Sequence, residues 1–157
     1  MPHVASYIIL VHDAEQRLAE SLDVIGAAHA AEAEILHGTA TIADLSRQNV
    51  DALDPLREQY QQRRDEHADH EPTDFFAEPL VEARHGPIGL LRDLQDLLTL
   101  TAFVSSTWTV VAQGAKAMKD EPLKNVCEQA LQHNEQQSRW LRTQIKNAAP
   151  QALLLAH

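Results

Sequence analysis

The sequence is poor in cysteine, in basic residues and in long apolar runs, and each shortage removes a class of protein. Cys127 is the one cysteine among 157 residues, which excludes an internal disulfide framework and a cysteine-based zinc site. Lys and Arg number 13 against 23 Asp and Glu, for a formal net charge of -10, whereas nucleic acid and anionic membranes are bound by basic surfaces. No run of about 18 apolar residues could span a bilayer. We therefore expect a cytoplasmic protein with neither nucleic acid nor membrane as a partner.

Turn-forming residues are also scarce. The chain has 5 glycines and 7 prolines, Ala and Leu are frequent, and runs of β-branched residues are short, all of which favours helices over strands. The length suits one domain covering residues 1–157. We expect a single all-α domain.

Apolar residues recur at alternating steps of three and four along four segments, the spacing that turns one face of a helix inward. In the first segment the pattern runs from Ile8 to His29 and includes Glu15. The four predicted helices cover residues 4 to a turn between 30 and 41, that turn to about 64, 88 to 118, and 122 to 148.

Helices of roughly 25 to 30 residues are each about 40 Å long and suit an antiparallel four-helix bundle. The connection between helices two and three, about 20 residues from 65 to 87, is longer than usual bundle loops. It either crosses the end of the bundle or passes along its side. Up-down-up-down topology is the favoured arrangement.

Polar residues interrupt all four inward-facing stripes. When the helix centres are aligned, with neighbours antiparallel, these residues form one layer inside the bundle. An ionised carboxylate buried without partners costs several kcal/mol, so Glu15 must be hydrogen-bonded, charge-paired, protonated or bound to a cation. The layer comprises Glu15, Asn49, Thr101 and Gln137, with His12, Ser105, His133 and Asn134 about one turn away.

Glu15, with His12 and His133 as nitrogen donors, is the candidate metal site of this layer. Carboxylate and imidazole together suit iron, manganese or zinc, and bundle interiors commonly hold such sites. The alternative is a satisfied polar layer that fixes the register of similar helices. The di-iron set of ferritins is not expected, because the Glu-x-x-His sequence at residues 34 to 37 falls at the first turn and helices two and three offer no matching inward carboxylates.

Other polar residues are interpreted without a functional role. Asp93 and Asp96 are expected to be solvated, and His29 is expected to cap a helix or face solvent. Cys127 is expected to be a small core residue. His67 and His70, in an acidic stretch, could chelate a divalent cation weakly at the surface.

Three parts of the chain carry a resemblance to known proteins. They are HDAE at 12–15, GLLRDLQDL at 89–97 with WTV at 108–110, and RWLRTQIK at 139–146 followed by AAPQAL at 148–153. In these segments the chain resembles a family of small bacterial helical-bundle proteins of ferritin-like appearance. The resemblance implies a bacterial, cytoplasmic four-helix bundle and no particular reaction. Such proteins are expected to carry a histidine where Gln95 stands here.

These observations predict a non-enzymatic helical-bundle protein that binds a metal ion or small ligand in its central polar layer. The apolar tail at residues 152–155 suggests a homo-oligomer, because this segment has no bundle face of its own to cover. One alternative is a ferritin-like, metal-dependent oxidoreductase centred on Glu15, His12 and His133. Another is a scaffold or regulatory protein that presents its acidic connection to a basic protein partner.

Overall fold

A computed structural model describes residues 2–63 and 83–155, which form four long α-helices and a short π-helical turn. The bounds are Pro2–Ala28 for α1, Ala33–Gln62 for α2, Gly86–Met118 for α3, Glu121–Pro150 for α4 and Gln151–Leu155 for the π turn. The described residues include no strand. The predicted all-α class and the four helices are confirmed. The predicted surface cluster of His67 and His70 lies outside the described residues.

Three helix boundaries lie close to their predicted positions. The α1–α2 turn occupies residues 29–32, at the start of the predicted window. Gly86 begins α3 with φ of 75°, a left-handed conformation that glycine adopts readily. The side chain of Asp120 accepts a hydrogen bond from the Leu123 amide and so caps the start of α4. The predicted end of α4 before Ala149 was wrong, because the helix continues through Pro150.

Each helix packs against two others, and the pairs are α1 with α2, α3 with α4, α1 with α3 and α2 with α4. Within the described ranges α2 and α3 do not pack together, although they are consecutive in the chain. His29, just after α1, bonds Asp93 near the start of α3. Glu34, at the start of α2, bonds Gln144 near the end of α4.

The core lies along the inward-facing stripes that the sequence predicts. Every stripe residue of α1 from Ile8 to His29 is buried, including Glu15. The largest buried apolar side chains come from all four helices, so the helices share one core. They include Trp108, Ile8, Leu18, Leu22, Ile25, Leu53, Leu94, Leu97, Leu123 and Leu141.

Gly38 is a packing residue inside α2 and does not end a helix. A Cβ atom built at this position would lie 2.0 Å from Cζ2 of Trp140, so the indole ring of α4 occupies the space that any larger residue would need. Thr41, further along α2, bonds the His37 carbonyl within the same helix. The glycine therefore allows α2 and α4 to approach closely.

Gly38→Ala is expected to destabilise the fold by about 1–3 kcal/mol, because Trp140 must move to admit the methyl group. The free energy of unfolding, from urea titration, measures this effect. Gly114→Ala is the matched control, since its Cβ would meet nothing closer than Val4 Cγ2 at 4.0 Å. Alanine is favoured over glycine inside a helix, so this control should be neutral or stabilising. Equal decreases in the free energy of unfolding of Gly38→Ala and Gly114→Ala would contradict the packing role of Gly38.

Candidate functional site: a buried polar layer around Glu15

Glu15 connects all four helices through one carboxylate oxygen. Its side chain is fully buried on α1. Oε1 accepts hydrogen bonds from Asn49 Nδ2 of α2 at 2.8 Å, from Trp108 Nε1 of α3 at 2.7 Å and from Asn134 Nδ2 of α4 at 3.0 Å. Three donors on one oxygen fix the position of the carboxyl group and the register of the helices that supply them.

Gln137 extends the layer between α4 and α2. Its Oε1 accepts a second hydrogen bond from Asn134 Nδ2 at 3.0 Å. Its Nε2 donates to the Ile42 carbonyl and to Ser46 Oγ, each at 2.8 Å. All of these side chains are buried, so each hydrogen bond replaces one that water would otherwise supply.

Two oxygens in the layer have no hydrogen-bond partner. They are Glu15 Oε2 and Asn134 Oδ1, and both residues are fully buried. The orientation of the Asn134 amide is fixed, because its nitrogen already donates to the oxygens of Glu15 and Gln137. Both unpartnered atoms are acceptors. A proton on the carboxyl group, a bound cation or a water molecule would satisfy them.

The environment of Glu15 favours its neutral form. Burial raises the pKa of this carboxyl above its ordinary value of 4.5, and this effect outweighs the opposing hydrogen bonds of Ser46, Asn134, Trp108 and Asn49. Uptake of a proton is therefore one way in which the folded protein balances this charge.

The raised pKa of Glu15 predicts a pH-dependent stability in metal-free buffer. Above pH 4.5 the unfolded chain releases this proton while the folded protein keeps it, so the stabilisation falls as pH rises through the folded pKa. Urea unfolding of the wild type and of Glu15→Gln, which cannot ionise, is measured from pH 4.5 to about pH 8. The wild type should lose stability relative to the variant as pH rises. If the difference in unfolding free energy between wild type and Glu15→Gln did not change with pH, the raised pKa of Glu15 would be contradicted.

The other two predicted metal ligands, His12 and His133, belong to different hydrogen-bond networks. His133 bonds Asn49 Oδ1 through Nδ1 at 2.7 Å and Gln129 through Nε2 at 2.9 Å, so Asn49 links it to Glu15. Burial lowers the pKa of His133. His12 is buried and bonds Asp54 through Nε2 at 2.7 Å, while its Nδ1 has no hydrogen-bond partner. Thus His133 belongs to the Glu15 network, and His12 forms a separate pair.

Helix α3 contributes a different residue from the one predicted. Thr101 is buried, but its hydroxyl bonds the Leu97 carbonyl in its own helix and does not join the layer. Trp108, seven residues later, donates to Glu15 instead. Sequence reasoning missed this role because apolar periodicity along residues 88–118 indicates only that Trp108 faces the core. A buried indole N–H needs a hydrogen-bond acceptor, and this requirement could have indicated that Trp108 belongs to the polar layer.

The expectation that Asp93 is solvated was wrong, and so was the expectation that His29 caps a helix or faces solvent. Asp93 is fully buried and His29 is 8% exposed, and they bond through His29 Nε2 and Asp93 Oδ2 at 2.8 Å. Arg84 also binds Asp93, through its backbone N–H and through Nη1, each at 2.9 Å. The carboxylate is buried because these donors replace water and Arg84 balances its charge.

Comparisons with protein families, curated proteins and solved structures give no match to this chain. Across residues 2–63 and 83–155, no three His, Cys, Asp or Glu side chains form a group suited to a metal ion. None of the helices in these ranges is long and apolar enough to cross a membrane.

Proposed function

We propose that the protein is a non-enzymatic helical-bundle protein that binds one metal ion in the polar layer around Glu15. The observation that carries this proposal is the pair of buried acceptors without donors, Glu15 Oε2 and Asn134 Oδ1. Carboxylate and amide oxygens suit manganese better than zinc. Of the predicted nitrogen donors, His12 has one ring nitrogen, Nδ1, that makes no hydrogen bond and lies 3.6 Å from Asp13 Oδ1, whereas both ring nitrogens of His133 are hydrogen-bonded.

Metal and proton compete for Glu15 in this proposal. The proton that burial favours must leave before the carboxylate binds a cation, so metal binding releases a proton and strengthens as pH rises. Among the described residues, every group that bonds the Glu15 carboxylate is a neutral amide, indole or hydroxyl. A divalent cation would supply the missing positive charge.

The experiment compares the manganese content of untagged wild-type protein and Glu15→Gln after loading with Mn²⁺ and desalting. The wild type is expected to retain about one equivalent and the variant only a trace, because the amide removes the anionic ligand. Glu20→Gln is the control, since Glu20 is exposed on the same helix. Equal manganese in wild type and Glu15→Gln, or none in either, would overturn the proposal.

The contacts also support an antiparallel, ferritin-like arrangement of the helices. Tyr60, near the end of α2, bonds Asp120 at the start of α4, whereas Asp93, near the start of α3, bonds His29 at the end of α1. By these contacts the end of α2 and the start of α3 lie at opposite ends of the bundle, which differs from the up-down-up-down order expected from the sequence, in which they would share one end. Ferritin-like bundles have one such long crossover, and this likeness concerns topology without implying their chemistry.

A homo-oligomer is part of the same proposal. Leu153, Leu154 and Leu155 follow α4 and are 68%, 77% and 70% exposed, while Ala152 is buried against the bundle. Three adjacent exposed leucines form an apolar surface of the kind that subunit contacts cover. Size-exclusion chromatography with light scattering tests this part.

A further inference from the structure

The solvent-facing side of α3 is uncharged along about five turns. Charged residues make up 23% of the chain, yet none occurs from Leu97 to Ala115. A line of exposed side chains at steps of three and four runs along this side of the helix. We call this line the α3 stripe, and it consists of Gln95, Thr99, Ala102, Ser106, Thr109 and Gln113. Depletion of charge is typical of the central part of a protein–protein interface.

The α3 stripe is nearly symmetric about residue 104. Each member has a similar counterpart at the same distance on the other side, and the pairs are Gln95 with Gln113, Thr99 with Thr109, and Ala102 with Ser106. When two identical helices pack antiparallel about a two-fold axis, each residue meets the residue at the mirror position of the partner. Amide would then face amide, hydroxyl would face hydroxyl, and the smallest side chains would lie where the helices cross. The stripe is therefore complementary to a second copy of itself.

The hydroxyl groups of the α3 stripe already have hydrogen-bond partners within their own helix. Each donates to a main-chain carbonyl three or four residues earlier, at 3.0 Å from Thr99, 2.7 Å from Ser106 and 2.9 Å from Thr109. Burial of a hydroxyl is costly when its hydrogen has no acceptor. A second subunit could therefore cover these three side chains without leaving a donor unpaired.

The charge of the protein favours self-association at this face over the acidic faces. Each copy has a formal net charge of -10, so two copies repel each other where their acidic side chains meet. Contact between two α3 stripes brings no like charges together. We propose that the protein forms a two-fold symmetric dimer in which the α3 stripes of two copies pack antiparallel and cross at the level of residue 104. This proposal rests on the homo-oligomer of the proposed function and does not depend on the metal site.

Disulfide cross-linking of the variants Thr99→Cys and Thr109→Cys tests the two-fold arrangement. In the proposed dimer, position 99 of one copy lies opposite position 109 of the other, whereas the two 99 positions are about 15 Å apart along the helix. A disulfide needs Cα atoms within about 7 Å of each other. Mild oxidation should therefore give a covalent dimer when subunits of the two variants are mixed, and none from either variant alone. Cys127 is buried and is present in every sample.

A negative charge on the α3 stripe should separate the subunits. Ser106→Glu places two carboxylates at the crossing of the helices and should raise the dissociation constant of the dimer by about tenfold or more, measured by light scattering over a range of concentrations. Gln48→Glu is the control, because it adds the same charge at an exposed position of α2. Its dissociation constant should stay within about twofold of wild type, and circular dichroism checks that both variants fold.

The results separate failure of this interface from failure of the homo-oligomer. A wild type that stays monomeric at high concentration would overturn both. If the wild type is oligomeric, three results would overturn the α3 interface alone: no cross-link in the mixed sample, a cross-link from either cysteine variant by itself, or equal weakening by Ser106→Glu and Gln48→Glu.

Discussion

Glu15→Ala is expected to destabilise the protein by about 3–5 kcal/mol, because three buried donors lose their common acceptor. Asn49, Trp108 and Asn134 each donate to Glu15 Oε1, and each comes from a different helix. A buried donor left unpaired costs about 1–3 kcal/mol, and water entering the vacated space offsets part of the total. Urea unfolding at neutral pH, followed by circular dichroism, measures the loss.

Glu15→Gln is the matched variant for this prediction. Its carbonyl oxygen keeps an acceptor for the three donors, and its amide nitrogen puts a donor in the place of the unpartnered acceptor Oε2. The expected change is below about 1 kcal/mol in metal-free buffer. If Glu15→Ala cost as little as Glu15→Gln, the hydrogen bonds of the layer would not contribute to stability.

Leu94→Ala is expected to cost about 2–5 kcal/mol, the second large effect. Leu94 is fully buried in the common core on α3, so the substitution removes apolar contacts and leaves a cavity. Val110→Ala on the same helix is the control, because Val110 is 49% exposed and should change stability by less than about 0.5 kcal/mol. A loss below about 1 kcal/mol for Leu94→Ala would contradict its assignment to the core.

The inward face of each helix could be predicted from the sequence because helical periodicity is a local property. In α1 the steps of three and four from Ile8 to His29 select residues that are all buried. The same reasoning placed Glu15, Asn49 and Gln137 in one interior layer, and the hydrogen bonds confirm this grouping. A helix with one apolar stripe has one way to face a core, so these predictions needed no knowledge of its neighbours.

The offset of one helix along another could not be predicted in this way. Aligning the centres of the helices brought Thr101 to the level of Glu15, whereas Trp108, about two turns further along α3, lies there. The periodic stripe is the same after a shift of seven residues, so the pattern alone does not fix the offset. Side-chain packing and hydrogen-bond partners determine it.

The pair of His29 and Asp93 was missed for a related reason. These residues are 64 positions apart and meet at the end of the bundle, where Arg84 completes the arrangement. Asp and His residues are usually solvated. Asp93 and His29 are buried because they bond each other and Arg84 bonds Asp93, and these three residues come from separate segments of the chain. Such a tertiary contact can be recognised only once the topology is known.

An anomalous-difference map from a crystal grown with Mn²⁺ is the most direct test of the central claim, that the unpartnered carboxyl oxygen of Glu15 binds a metal ion. The account predicts a peak in contact with Glu15 Oε2 and Asn134 Oδ1 at pH values above the pKa of Glu15, and none in crystals of Glu15→Gln. A well-ordered Glu15 layer without a peak at such a pH would contradict it.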